Sequence, residues 1–167
     1  MKSVIVLLAL VGALALQTTL SGVTIGGARM VNLVVVAVVY VALLFGPVAG
    51  LMAGTAGGLA QDALSGGIVG IGGLSKTIVG FLAGLLGAQF IVSQPFPRFV
   101  MFIGATAVHE VCYQALNAVV EARPFRLATS QMATQALINA IVGLTAFFLV
   151  EQTPGLLQRR RARRGRY

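Results

Sequence analysis

Residues 46–84 read GPVAGLMAGTAGGLAQDALSGGIVGIGGLSKTIVGFLAG, and they carry only two charges, Asp62 and Lys76. Gly46, Gly50, Gly54 and Gly58 recur every four residues, and Gly80 and Gly84 repeat the step. On a helix such residues form one stripe that drifts by roughly 40° per step. Small residues at this spacing let two helix backbones approach closely inside a membrane. There, dispersion and weak hydrogen bonds replace the missing hydrophobic drive. The stripe serves either packing within one bundle or docking of another protein's transmembrane helix, and the spacing alone leaves both open. Pro47 lacks a backbone donor and disfavours helix for Gly46, so a break belongs at that pair. A second cluster, Ser65-Gly66-Gly67 with Gly70, Gly72 and Gly73, follows Asp62. It has no Gly-Lys-Ser/Thr with which to hold phosphate.

Working outward, the chain has 167 residues, 57% hydrophobic and 10% charged. A soluble domain is about one quarter charged, so lipid must cover most of this surface. A separate soluble domain, a disordered chain and a disulfide scaffold are excluded; the single cysteine cannot close an internal bridge. No charge lies between Arg29 and Asp62. One helix over that run would be roughly 48 Å long, against a hydrocarbon core of roughly 30 Å. It therefore divides at Gly46-Pro47. Charge-free runs place spans at about 4–20, 31–46, 47–61, 76–94, 99–120 and 127–150. The expected fold is an all-α membrane protein, a six-transmembrane-helix bundle over 1–155. Pro154-Gly155 ends the last helix, and a basic tail follows over 156–167.

Basic residues in short segments set orientation. Arg159, Arg160, Arg161, Arg163, Arg164 and Arg166 form a cytoplasmic tail that meets anionic lipid headgroups, at about 1 kcal/mol each. Lys2 puts the N-terminus on the same side, which requires an even number of spans. The alternative is a cleaved first span, because Ala13-Leu14-Ala15 imitates a signal-peptidase site; five spans would remain. The tail lacks the aromatic interleaving of a nucleic-acid platform, so nucleic acid is not an expected partner.

Ionisable residues within spans are costly and are candidate functional groups. Asp62 either caps the turn Asp62-Ala63-Leu64-Ser65 through its carboxylate or pairs with Lys76. His109 and Glu110 lie in mid-span, with Cys112 and Tyr113 following. They read as a hydrogen-bonded polar pair that fixes helix packing, with Gln114, Asn117, Gln135 and Asn139 as further members. Zinc needs three or four ligands, and the chain has one histidine and one cysteine. Serine–histidine catalysis with Ser65 or Ser75 lacks an oxyanion motif. The expectation is no enzyme, no metal and no cofactor.

The order Gly46-Pro47-Val48-Ala49-Gly50, Gly58-Leu59-Ala60-Gln61-Asp62-Ala63-Leu64-Ser65-Gly66-Gly67, Gly70 and Leu74-Ser75-Lys76-Thr77-Ile78-Val79-Gly80-Phe81-Leu82-Ala83-Gly84 resembles the rod shape-determining MreD family. Leu16-Gln17-Thr18-Thr19-Leu20 fits it too. Val31-Asn32 stands where members often have Pro-Asp. The resemblance implies a fold similar to the substrate-binding subunit of energy-coupling-factor transporters. It also implies a non-catalytic subunit of the rod complex, or elongasome, in the bacterial inner membrane. Such a subunit would bind MreC, act with RodA, a class B penicillin-binding protein and MreB, and regulate lateral peptidoglycan synthesis and cell shape. On that resemblance Gly46, Pro47, Gly50, Gly54, Gly58, Asp62, Ser65, Gly66, Gly70, Lys76, Gly80 and Gly84 are motif and assembly residues. The second expectation is a small-molecule-binding membrane subunit of a vitamin-type transporter.

Overall fold

The computed structural model describes residues 2–19, 24–25, 28–29, 31–89 and 94–164. Six helices account for nearly all of them: α1 Lys2–Thr19, α2 Leu33–Phe45, α3 Pro47–Ser65, α4 Ile71–Gln89, α5 Pro95–Val120 and α6 Thr129–Arg164. Among the described residues the one strand pairing is antiparallel, between two-residue strands β1 Thr24–Ile25 and β2 Ala28–Arg29, which lie between α1 and α2. Three helical stretches are long and apolar enough to cross a membrane: Ile71–Gln89, Pro95–Val120 and Thr129–Leu149. Leu8, Val11, Leu86, Val100, Val111 and Ile141 are exposed, while Asn32, Thr106, His109 and Asn139 are buried. Apolar side chains outside and polar ones inside are the arrangement that lipid imposes. The chain is a multi-pass membrane protein.

Helix α2 forms the centre. Its sequence, LVVVAVVYVALLF, is apolar on every face, and such a helix must be enclosed by others. It packs against all of the other helices. Val35, Val39 and Ala42 meet Val79 of α4, Phe102 of α5 and Phe147 of α6 in one core cluster, while Val34, Val38 and Val41 meet Leu10 of α1 and Ala53 of α3 in another. At 1.5 Å per residue α2 is only about 20 Å long, shorter than the hydrocarbon core. Its N–H groups begin at Asn32, whose side-chain oxygen accepts from Val35 N at 3.2 Å, a helix N-cap.

Gly46 ends α2 with φ 91 and ψ −178, a conformation that an L side chain resists. Its N–H still reaches Ala42 O at 2.9 Å, and Pro47 starts α3 at a position that needs no donor. The chain reverses there. Ala42 lies against Gly50, and Val34 against Gly57, so α2 and α3 form an antiparallel hairpin.

The α3–α4 contact is the most extensive in the fold. Gly50 faces Gly80, Gly54 faces Lys76 and Thr77, Gly58 faces Gly73, and Pro47 faces Gly84. The pairs run in opposite directions, so the glycine stripe joins α3 to its neighbour in the chain along its whole length. A Cβ on Gly58 would stand 2.6 Å from Gly73 Cα, and one on Gly84 would stand 2.5 Å from Pro47 N. The backbones touch, and nothing larger than hydrogen fits. Gly66, at φ 66, ends α3 in the left-handed conformation.

At the other end of the chain the structure departs from expectation. α6 runs through Pro154-Gly155 to Arg164, although the proline was expected to stop it. Proline removes one donor and crowds the preceding turn. The segment beyond is rich in Leu, Gln and Arg, good helix formers that resume the pattern. The side chains of Arg159, Arg160, Arg161, Arg163 and Arg164, and the whole of Arg166, lie outside the described residues.

Candidate functional site

The polar residues gather at one end of the bundle. α1 and α3 finish there, and α2, α4 and α6 begin there. Beneath this end lies a chain of buried hydrogen bonds. Asn32 is its hub. Because its Oδ1 caps α2, its Nδ2 must point outward as a donor, and it lies 3.1 Å from His109 Nε2. That nitrogen is therefore an acceptor, which makes His109 the neutral Nδ1–H tautomer. Nδ1 lies 3.1 Å from Ser75 Oγ, and Ser75 Oγ in turn donates to Gly72 O at 3.1 Å. Each hydrogen bond in the series then joins one donor to one acceptor. The Asn32 N–H donates to Asn139 Oδ1 at 3.0 Å, and Asn139 Nδ2 donates to Thr106 Oγ1 at 3.2 Å. Helices α2, α4, α5 and α6 are thus tied through five side chains, Asn32, Ser75, Thr106, His109 and Asn139, that are all at least nine-tenths buried. Gln17 ties in α1, donating to Val31 O at 3.0 Å and accepting from Leu33 N at 2.7 Å.

Above this network opens a cavity of about 270 Å³. Its walls include Gln61 and Asp62 of α3, Lys76 of α4, Glu110 and Tyr113 of α5, and Gln135 of α6; Asn32 and His109 belong to its lining as well. Gln131, exposed at the start of α6, marks its mouth. Gln61 is 94% buried by its 6% exposure, yet its Oε1 has no hydrogen-bond partner. A buried acceptor left unpaired costs about 1–3 kcal/mol, so this amide has an unmet requirement. Glu110 Oε2 accepts from Gln114 Nε2 at 3.3 Å, and Gln114 Oε1 accepts from Ala128 N at 3.3 Å, which secures the α5–α6 connection.

Asp62 does not cap its own turn. Its Oδ2 reaches across to the next helix and accepts from Gly70 N at 2.9 Å and Gly73 N at 3.1 Å. The carboxylate therefore satisfies the first donors of α4, where the helix dipole also favours a negative charge. The physical reason is reach. The tight α3–α4 contact brings the start of α4 back over the end of α3. Gly72 lies under the carboxylate, where a Cβ would collide with it. Lys76 is 2% exposed, on the same cavity wall. Ser65 and Gly67 line the mouth, and Gly70 takes φ 110 before α4.

His109 and Glu110 do not form the expected mutual pair. Their nearest approach is 3.9 Å, at the nitrogen that already accepts from Asn32. Adjacent residues on a helix point about 100° apart, so His109 finds Asn32 and Ser75 on other parts of the chain, whereas Glu110 bonds to Gln114 one turn along α5. Of the other expected members Asn139 joins the network and Gln114 bonds to Glu110. Gln135 lines the cavity, whereas Asn117 bonds only to Tyr113 O on an exposed face. Asn32, Gln17, Thr106 and Gln61 were not among the expected site residues. Their signal was a polar residue in a charge-free apolar run, which becomes informative only when several such residues converge.

Ser75 and His109 do meet: Ser75 is fully buried, and in the tautomer set by Asn32 the imidazole donates toward the hydroxyl instead of accepting from it. Among the described residues no group of three metal-ligating side chains exists.

The chain matches the family model described as the 5TMR of 5TMR-LYT over residues 1–152. No curated protein and no solved structure matches it. The match overturns the resemblance to MreD and, with it, the expected rod-complex function and MreC binding. It equally removes the support for a vitamin-type transporter subunit. The residues that suggested MreD have general duties here. A glycine stripe, a glycine reversal and an acidic cap serve the close antiparallel packing of α3 and α4, so they describe a packing solution before a family. The matched family is five-transmembrane, where charge spacing gives six spans. The chain belongs to the 5TMR-LYT family, a five-transmembrane family of domains associated with sensor histidine kinases.

Proposed function

We propose that the chain is a non-catalytic, membrane-embedded sensing module. In this reading a small polar solute enters the cavity at the end of the bundle, and its presence is passed to a regulatory partner. The observation that carries it is the cavity itself: polar walls, an unpaired Gln61 oxygen, and a floor of hydrogen bonds that connects four helices. A solute that competes for Asn32 or His109 would alter the contacts of α2, α5 and α6 together. Membership in a family associated with sensor kinases supports the same reading. We place the protein in the cytoplasmic membrane with its arginine-rich end on the cytoplasmic side. There the arginines would contact anionic lipid.

The test is a thermal-shift survey of the detergent-purified chain against small polar metabolites. At least one chemical class should raise Tm by several degrees. Gln131→Trp, which fills the mouth, should abolish that shift without lowering the Tm of the empty protein. Failure of every class to stabilise the protein would overturn the proposal.

A further inference from the structure

The ligand class follows from what the cavity walls offer, an inference that rests on the sensing reading above. We infer that the site takes a small zwitterion, a molecule carrying an ammonium and a carboxylate on one short skeleton. Two acceptors on different helices are available to a donor. Gln61 Oε1 on α3 is buried and has no partner. The last torsion of a glutamine is soft, so a small rotation presents that oxygen to an occupant. Glu110 on α5 uses Oε2 for Gln114, and its Oε1 lies 3.9 Å from the His109 nitrogen, which is itself an acceptor, so that contact is not a hydrogen bond. An ammonium has three donors and suits two such oxygens at once.

A purely cationic amine is a poorer fit. Lys76 lies on the same wall, 2% exposed, and would repel it. A carboxylate on the ligand reverses that interaction. The lysine ammonium is a positive charge on the cavity wall, and its three donors let it meet a carboxylate oxygen in addition to its contacts within the protein, Gly72 O at 3.5 Å among them. Asp62 adds no competing site for the ammonium through Oδ2, which already serves two backbone donors. The volume sets the size. At roughly 30 Å³ per water, about 270 Å³ is room for roughly nine waters, which holds a single amino acid and excludes anything much larger.

The test uses the full chain in lipid nanodiscs and three matched probes. L-alanine carries both groups, propionate lacks the ammonium, and ethylamine lacks the carboxylate. Calorimetry should show alanine binding at least tenfold more tightly than either single-charge probe. Gln61→Leu and Glu110→Gln should each weaken alanine binding about tenfold. Gln61→Glu, which retains an acceptor, should preserve it, and a thermal melt of each variant separates lost binding from lost folding. Propionate binding as tightly as alanine would overturn the inference, as would alanine binding unchanged in folded Gln61→Leu and Glu110→Gln. If none of the three probes binds, the zwitterion assignment falls. The sensing reading then stands or falls separately on whether another class gives a Gln131→Trp-sensitive shift.

Discussion

Replacing Gly54 by alanine adds one methyl group where α3 and α4 touch. The new Cβ would lie 2.5 Å from the Lys76 carbonyl carbon and 2.8 Å from Thr77 N. Relaxed carbon contacts lie near 3.5–4.0 Å, so the two backbones must part by roughly 1 Å. The obstructing atoms are main chain and cannot rotate away. Overpacking of this kind costs about 1–3 kcal/mol. The same change raises intrinsic helix propensity by about 1 kcal/mol. Because the obstructing atoms are backbone, the overpacking cost lies toward the upper part of its range and the clash should win, leaving a net loss of up to roughly 2 kcal/mol. Gly104 provides the control. It is also within a helix, α5, but a Cβ there meets nothing within 4 Å, so only the propensity term remains and Gly104→Ala should gain about 0.5–1 kcal/mol. The variants thus move in opposite directions, separated by roughly 2 kcal/mol. At about 2–4 °C per kcal/mol for a chain of this size, the Tm values differ by roughly 4–8 °C. The single cysteine, Cys112, is half-buried on α5, so a thiol-reactive fluorogenic dye can report thermal unfolding in detergent. A Tm for Gly54→Ala equal to or above that of Gly104→Ala would refute the close-contact argument.

Further outcomes follow from the polar end of the bundle. Asp62→Ala removes the acceptor of two α4 donors and should lower stability by roughly 2–3 kcal/mol. Asp62→Asn keeps one acceptor oxygen and should cost clearly less, which paired melts would show. Asn32→Ala deletes both the α2 cap and the donor to His109, for a loss of about 2–4 kcal/mol; Asn32→Ser, which can still cap, should recover part of it. Ser75→Ala leaves the His109 Nδ1–H without its acceptor and should cost about 1–3 kcal/mol. If the pair is structural, ligand binding should persist in folded Ser75→Ala, so its loss at unchanged Tm would count against that assignment.

The membrane environment, the helical class, the break at Gly46-Pro47 and the closeness of glycine-lined helices were legible from residue order. Each depends on neighbours in the chain or on the solvent: apolar runs without charge, a missing donor, a missing Cβ. The identity of the helix facing the stripe was not. Spacing of four creates a flat face but says nothing of what covers it. Only the folded hairpin assigns that face to α4, through Gly73, Thr77, Gly80 and Gly84. The same limit explains the family error. The stretch 46–84 carries the requirements of this helix pair, whereas the family match extends over residues 1–152.

The site shows the division more sharply. Sequence alone marked Asp62, Lys76, His109 and Glu110, because charge within an apolar run is conspicuous. It did not connect Asp62 with the first donors of α4 or His109 with Asn32, since hydrogen bonds between helices join residues as far apart in the chain as Asn32 and Asn139. Neutral amides such as Asn32 and Gln61 carry no charge signal, and their weight comes from burial and convergence. What the sequence determined by itself is therefore the medium and the local backbone. What the tertiary structure alone decided is which polar groups meet, which is left unpaired, and that a cavity lies between them.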